Sequence, residues 1–92
     1  MIRSIISTAE RCYMCGSTRW LECHHIFGGS NRKKSTEYGL MVYLCRWCHN
    51  EPPNGVHHNK AKMDWLRAEG QKRFEEEYPE LDFLKVFGKN YL

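Results

Sequence analysis

Cys45-Arg46-Trp47-Cys48-His49-Asn50 offers two thiols at the spacing of one half of a four-sulfur metal site and, directly after them, an imidazole. On a turn of helix Cys48 lies three residues on from Cys45 and faces the same side, whereas His49 is rotated roughly 100° from Cys48. One short stretch therefore has the means to serve two sites. The matching half is Cys12-Tyr13-Met14-Cys15-Gly16, whose glycine admits the positive φ that a tight turn around a metal needs. Four thiolates complete a Zn²⁺ tetrahedron at about 2.3 Å and leave no open position, so Cys12, Cys15, Cys45 and Cys48 are expected to hold a structural zinc. In a chain of 92 residues, whose core alone gives marginal stability, that binding energy is folding energy.

The remaining composition narrows the class. The chain has an odd count of five cysteines and no apolar run suited to a bilayer span, and residues 1–10 do not read as a signal peptide. A reducing cytoplasm and no membrane partner are expected, with thiols bound to metal rather than paired as disulfides. Cys23, the thiol outside the two C-x-x-C pairs, reads as a small buried hydrophobe. The net charge of +3 is uneven: residues 1–50 carry seven Lys/Arg against three acids, and residues 51–92 carry seven against eight. The basic excess travels with the metal motifs, as in a half that meets a polyanion.

Along the chain, Ile2, Ile5 and Ile6 suit a short strand or a turn of helix against the core. Residues 19–27 have strand character and end at Gly28-Gly29. Neighbours on a strand point to opposite faces, so His24 and His25 share a site only near a bend, which the two glycines permit. Residues 30–37 read as a polar loop carrying Arg32-Lys33-Lys34, and residues 38–44 as a second strand antiparallel to the first. Pro52-Pro53-Asn54-Gly55 interrupts any helix, and the loop then delivers His57 and His58. Residues 59–77 read as a helix with Met63, Leu66, Gly70, Phe74 and Tyr78 near one stripe. A last short helix from Pro79 is expected to bury Leu81, Leu84 and Phe87 and to end at Gly88. The fold expected is a single α+β domain over 1–92. Its zinc-stabilised core covers about 10–60 and its C-terminal helices about 59–90.

Cys12-x-x-Cys15, then His24-His25-Ile26, then Leu44-Cys45-x-x-Cys48-His49, resembles the HNH endonucleases with a ββα-metal active site, above all small members stapled by a four-cysteine zinc. The resemblance covers residues 12–58, and the ending Phe87-Gly88-Lys89-Asn90-Tyr91-Leu92 is similar to that of short HNH proteins from phage and prophage genomes. It implies a treble-clef-like ββα-metal fold in which His24 and His49 ligate a catalytic divalent ion and His25 is the general base. Two positions depart from the pattern. Leu40 stands where many members carry an asparagine that orients the base, leaving Asn31 or Asn50 to substitute. Pro53 stands where some members carry a further ligand, so His57 or His58 supplies the third, with His58 preferred.

The implied activity is hydrolysis of DNA phosphodiester bonds with low sequence preference, nicking one strand as a monomer or weak dimer. The ion would be Mg²⁺, Mn²⁺, Ni²⁺ or Zn²⁺, and imidazole ligands suit the last three better. Arg32, Lys33 and Lys34 are the candidate phosphate contacts. The resemblance further implies a phage- or prophage-encoded protein in a bacterial cytoplasm, working alone or beside packaging or recombination proteins. The competing class is a noncatalytic treble-clef zinc module that binds nucleic acid or protein, in which the His24-His25 pair and His49 have no shared task.

Overall fold

The computed structural model describes residues 3–92; Ile2 lies outside them. The element order is β1 (Leu21–His25), α1 (Arg32–Glu37), β2 (Met41–Cys45), α2 (Arg46–His49), α3 (Lys60–Glu77) and α4 (Phe83–Phe87), with 3-10 turns at Gly29–Asn31 and Val56–His58. β1 and β2 form an antiparallel pair, with Leu21 opposite Cys45, Glu22 opposite Leu44, His24 opposite Val42 and His25 opposite Met41. The expected α+β hairpin with helices is present, with both strands shorter than the sequence suggested. Trp20, at φ 48°, is in the left-handed region, so extended backbone begins only after it. Among residues 3–10 no helix or strand forms; Ile5 and Ile6 pack on the core, and the Ile5 N–H donates to the Gly39 carbonyl at 2.9 Å.

Residues 30–37 are not the polar loop expected, because Arg32–Glu37 are helical. Ser35 is the one residue this helix buries, and its hydroxyl donates to the Phe27 carbonyl at 2.7 Å while accepting from the Phe27 N–H at 3.0 Å. Hydrogen bonds dock α1, so it lacks the apolar stripe by which a helix is read. Cys23 also differs from expectation. It is exposed, since β1 turns the face bearing Cys23 and His25 away from the face that buries His24.

α3 begins where expected, with the Asn59 side chain accepting the Lys62 N–H at 3.0 Å. It buries Leu66, Gly70, Gln71 and Phe74. α4 is capped by Asp82, ends at Gly88, φ 82°, and buries Phe87 as expected, but Phe83 is buried in place of Leu81 and Leu84, which are exposed. The helix starts after Asp82 rather than at Pro79, and this turns its aromatic pair inward. There Phe27 meets Phe83, Phe87 and Tyr91 at ring-centroid distances of 5.2, 4.9 and 5.1 Å. Phe27 follows His25 by two residues, so this aromatic core fixes the end of β1 and the histidines on it. No helix among the described residues is long and apolar enough to cross a membrane.

Gly70 lets α3 approach that core. A Cβ there would lie 3.0 Å from Ile26 Cγ2 and 3.1 Å from Phe27 Cε2, both on fully buried side chains. Alanine gains roughly 1 kcal/mol of helix propensity, while overpacking costs about 1–3 kcal/mol where neighbours cannot yield. Gly70→Ala is therefore expected to destabilise the metal-loaded domain by about 1 kcal/mol in urea unfolding. A stabilised variant would show that Ile26 and Phe27 have room to move.

Candidate metal centres

Two donor groups assemble on the hairpin, and each has its own ligand atoms within 4.8 Å of one another: Cys12, Cys15, Cys45 and Cys48 in one, His24, His49 and His57 in the other. The sulfur group joins the loop before β1 to the β2–α2 corner. Gly16, at φ 81°, turns the loop so that its N–H donates to the Cys12 carbonyl at 2.8 Å. Tyr13 donates its N–H to the Tyr43 carbonyl, tying the same loop to β2. Cys45 is the residue before α2, and Cys48 follows one turn later. The Cys15 and Cys45 sulfurs are 3.7 Å apart. A tetrahedral ion with bonds of about 2.3 Å asks for a sulfur–sulfur edge of about 3.8 Å, so the donors present fit a closed four-sulfur metal site. Cys12 is buried, which raises a thiol's pKa, yet backbone amides at Cys45, Cys15 and Met14 bring it down to about 7, toward the thiolate that binds metal.

The histidine group draws on three elements. His24 comes from the buried face of β1, His49 from the last residue of α2, and His57 from the turn at Val56–His58. Their rings are mutually close, with centroids 5.1 Å apart for His24 and His49, 5.3 Å for His24 and His57, and 4.7 Å for His49 and His57. His49 Nε2 and His57 Nε2 are 3.1 Å apart, near the separation of about 3.3 Å between two nitrogens on one tetrahedral ion. His24 Nε2 is fully shielded and has no hydrogen-bond partner among the described residues. A buried imidazole nitrogen left without a partner is costly, and a cation supplies one. Burial, then the neighbouring His49 and His57, lower the His24 pKa to about 3, so it stays a neutral donor at neutral pH.

Glu22, absent from the sequence reading, completes this group from behind. Its carboxylate Oε1 lies 2.7 Å from His49 Nδ1, and the Asn50 amide nitrogen lies 3.5 Å from the same oxygen. A carboxylate that accepts a hydrogen bond from Nδ1–H keeps the ring proton on Nδ1, which leaves Nε2 unprotonated and aimed as a ligand. The signal was present in the period of the strand: Glu22 and His24 are two apart and share a face. Glu22→Gln is expected to weaken divalent-metal binding at the histidine group by roughly 10–100-fold while the sulfur group keeps its ion. Competition against a chromophoric chelator measures this, and an unchanged affinity would remove Glu22 from the site.

The other candidate residues are distributed as follows. His58, preferred as third ligand, is outside the donor group and His57 is in it; consecutive residues of a 3-10 turn diverge, so one of the pair reaches His49. His25 is also outside, leaving β1 on the other face with its Nε2 3.1 Å from Thr36 Oγ1 on α1. Burial, then the Arg32 charge, lower its pKa and keep its imidazole neutral. Of the two asparagines, Asn50 belongs to the histidine group and Asn31 does not, since its amide donates to the Phe87 carbonyl at 3.1 Å. Leu40 is buried in the core. Arg32, Lys33 and Lys34 are all exposed on α1, but Lys34 Nζ is engaged by the Val86 carbonyl at 2.6 Å. Trp47, exposed beside Cys48, meets the exposed Trp20 edge to face at 5.1 Å. No family model, curated protein or solved structure matches this chain.

Proposed function

We propose that the chain is a metal-dependent DNA endonuclease of the HNH type, built on a treble-clef-like ββα-metal core that Zn²⁺ staples through Cys12, Cys15, Cys45 and Cys48. The observation that carries this reading is the second donor group, with an orphaned His24 nitrogen and a carboxylate-backed His49, next in sequence to an imidazole that is not a ligand. Three imidazoles leave coordination positions open, unlike four thiolates. A divalent ion held by His24, His49 and His57 would act as a Lewis acid and stabilise charge on a phosphate and its leaving oxygen.

His25 is the general base of this mechanism. Its neutral ring takes a proton from water, the water oxygen attacks phosphorus in line, and the bond from phosphorus to the 3′ oxygen breaks with the electron pair leaving on that oxygen, which then takes a proton from solvent. The products carry 5′-phosphate and 3′-hydroxyl ends. Thr36 holds the base through its hydroxyl. His24 and His25 leave opposite faces of β1, so the scissile phosphodiester lies across the end of the strand to meet both. Arg32, whose charge lowers the His25 pKa, is the cation assigned to that phosphate. One such group per chain cuts one strand at a time.

A supercoiled-plasmid assay with Mg²⁺, Mn²⁺, Ni²⁺ or Zn²⁺ tests the reading on wild type and His25→Ala. Nicking by wild type alone supports it. Absence of nicking by wild type that retains its sulfur-bound zinc favours the noncatalytic zinc module instead.

A further inference from the structure

α3 and the chain's last residues bring to His57 a pair of cations that the histidine chemistry leaves unused. A cleft of about 500 Å³ is lined by His57, His58, Lys60, Asp64, Arg67 and Lys89 among others. A neighbouring hollow shares Asp64, Arg67 and Lys89 and adds Tyr91. The Tyr91 ring organises the cations, with Arg67 Cζ 5.6 Å and Lys89 Nζ 5.4 Å from its centroid. Asp64, the acid in the cleft, is taken by Lys60 at 2.6 Å. Neither Arg67 nor Lys89 has a carboxylate within 4.0 Å among the described residues. Arg67 Nε is fully shielded and without a hydrogen-bond acceptor among them.

A shielded guanidinium N–H without an acceptor is unfavourable, and an anion in the cleft offsets that cost through the charge of the guanidinium rather than by touching Nε. The planar fork of arginine suits phosphate oxygens, while lysine adds a mobile point charge. The cleft opens directly onto His57, so an anion there neighbours whatever the histidine group engages. We propose that Arg67 and Lys89 form a backbone-phosphate subsite, which grips the nucleic-acid strand beside the phosphate engaged at the histidine group. This rests on the nuclease reading and extends it, because it gives the C-terminal helices a part in holding substrate.

The test separates the two. A labelled short DNA duplex is titrated by anisotropy onto the zinc-loaded His25→Ala protein, which keeps the duplex intact, at several salt concentrations. Arg67→Gln and Lys89→Gln are compared with Lys72→Gln, an exposed lysine of α3 outside the cleft. Each cleft substitution is expected to raise Kd roughly tenfold and to reduce the slope of log K against log salt by about 1, as for one lost phosphate contact. Lys72→Gln should change neither. Lys89 lies past α4, so its variant reports even if Arg67→Gln disturbs α3. Equal effects of all three substitutions, or unchanged slopes at the cleft, overturn the subsite. So does inorganic phosphate that displaces the duplex at fixed ionic strength, which marks a site for free phosphate. Plasmid nicking by wild type is scored separately, so the subsite can fail while the nuclease stands.

Discussion

Cys45→Ser is expected to leave the chain without a stable fold at room temperature, and a strong chelator should do the same to wild type. Cys45 is buried at the corner where β2 becomes α2, and its sulfur faces the Cys12–Cys15 loop across the proposed zinc. Apparent binding energies of structural zinc run to roughly 10–16 kcal/mol, comparable to the whole stability of about 5–15 kcal/mol of an ordinary domain. No other link observed between the loop and the hairpin is of that size: the Tyr13–Tyr43 backbone hydrogen bond contributes about 1 kcal/mol. The internal control is Cys23→Ser. That thiol is exposed and outside the donor group, so its loss should shift stability by less than about 0.5 kcal/mol. Far-UV circular dichroism with metal analysis reads both variants. A Cys45→Ser protein that melts like Cys23→Ser would mean that aromatic packing alone sustains the fold.

The two C-x-x-C pairs were legible because both thiols of a pair come from one turn, and spacing alone fixes which side they face. His49 was legible for the same reason, one residue of rotation away from Cys48. Glu22 was passed over because a lone acid in a strand is ordinarily solvated, and its partner, 27 residues on, is brought near only by the pairing of β1 with β2. The choice between His57 and His58 depends on the direction in which a 3-10 turn presents its side chains, after a loop whose path no periodic pattern encodes. α1 hid behind its polarity, its docking carried by the Ser35 hydroxyl rather than by apolar residues. In α4 the faces were misassigned by one cap: starting the helix at Pro79 puts Leu84 inward, whereas starting it after Asp82 puts Phe83 inward. Misses of this kind arise wherever a hydrogen bond or a terminus, rather than a repeat of apolar residues, decides orientation.

His25→Ala should lower plasmid nicking by about 10²–10⁴-fold, the contribution of a positioned general base. Because His25 is not among the donors His24, His49 and His57, both metals should remain bound, which separates loss of the base from loss of the site. His24→Ala differs in kind, since it removes a donor and should abolish metal binding and nicking together. The wild-type pH profile adds a second reading. In the proposed mechanism nicking needs neutral His25, so the rate should be present above the His25 pKa and fall as pH drops through it. Burial and Arg32 lower that pKa, so the acid limb lies below the ordinary histidine value of about 6.5. Bound metal measured at each pH keeps ligand protonation from being mistaken for protonation of the base. A limb at or above the ordinary value with metal retained, or a His25→Ala protein as active as wild type, would move the proton-accepting role to another group. Among the described histidines outside the donor group, that group would have to be His58, which lines the cleft beside Arg67.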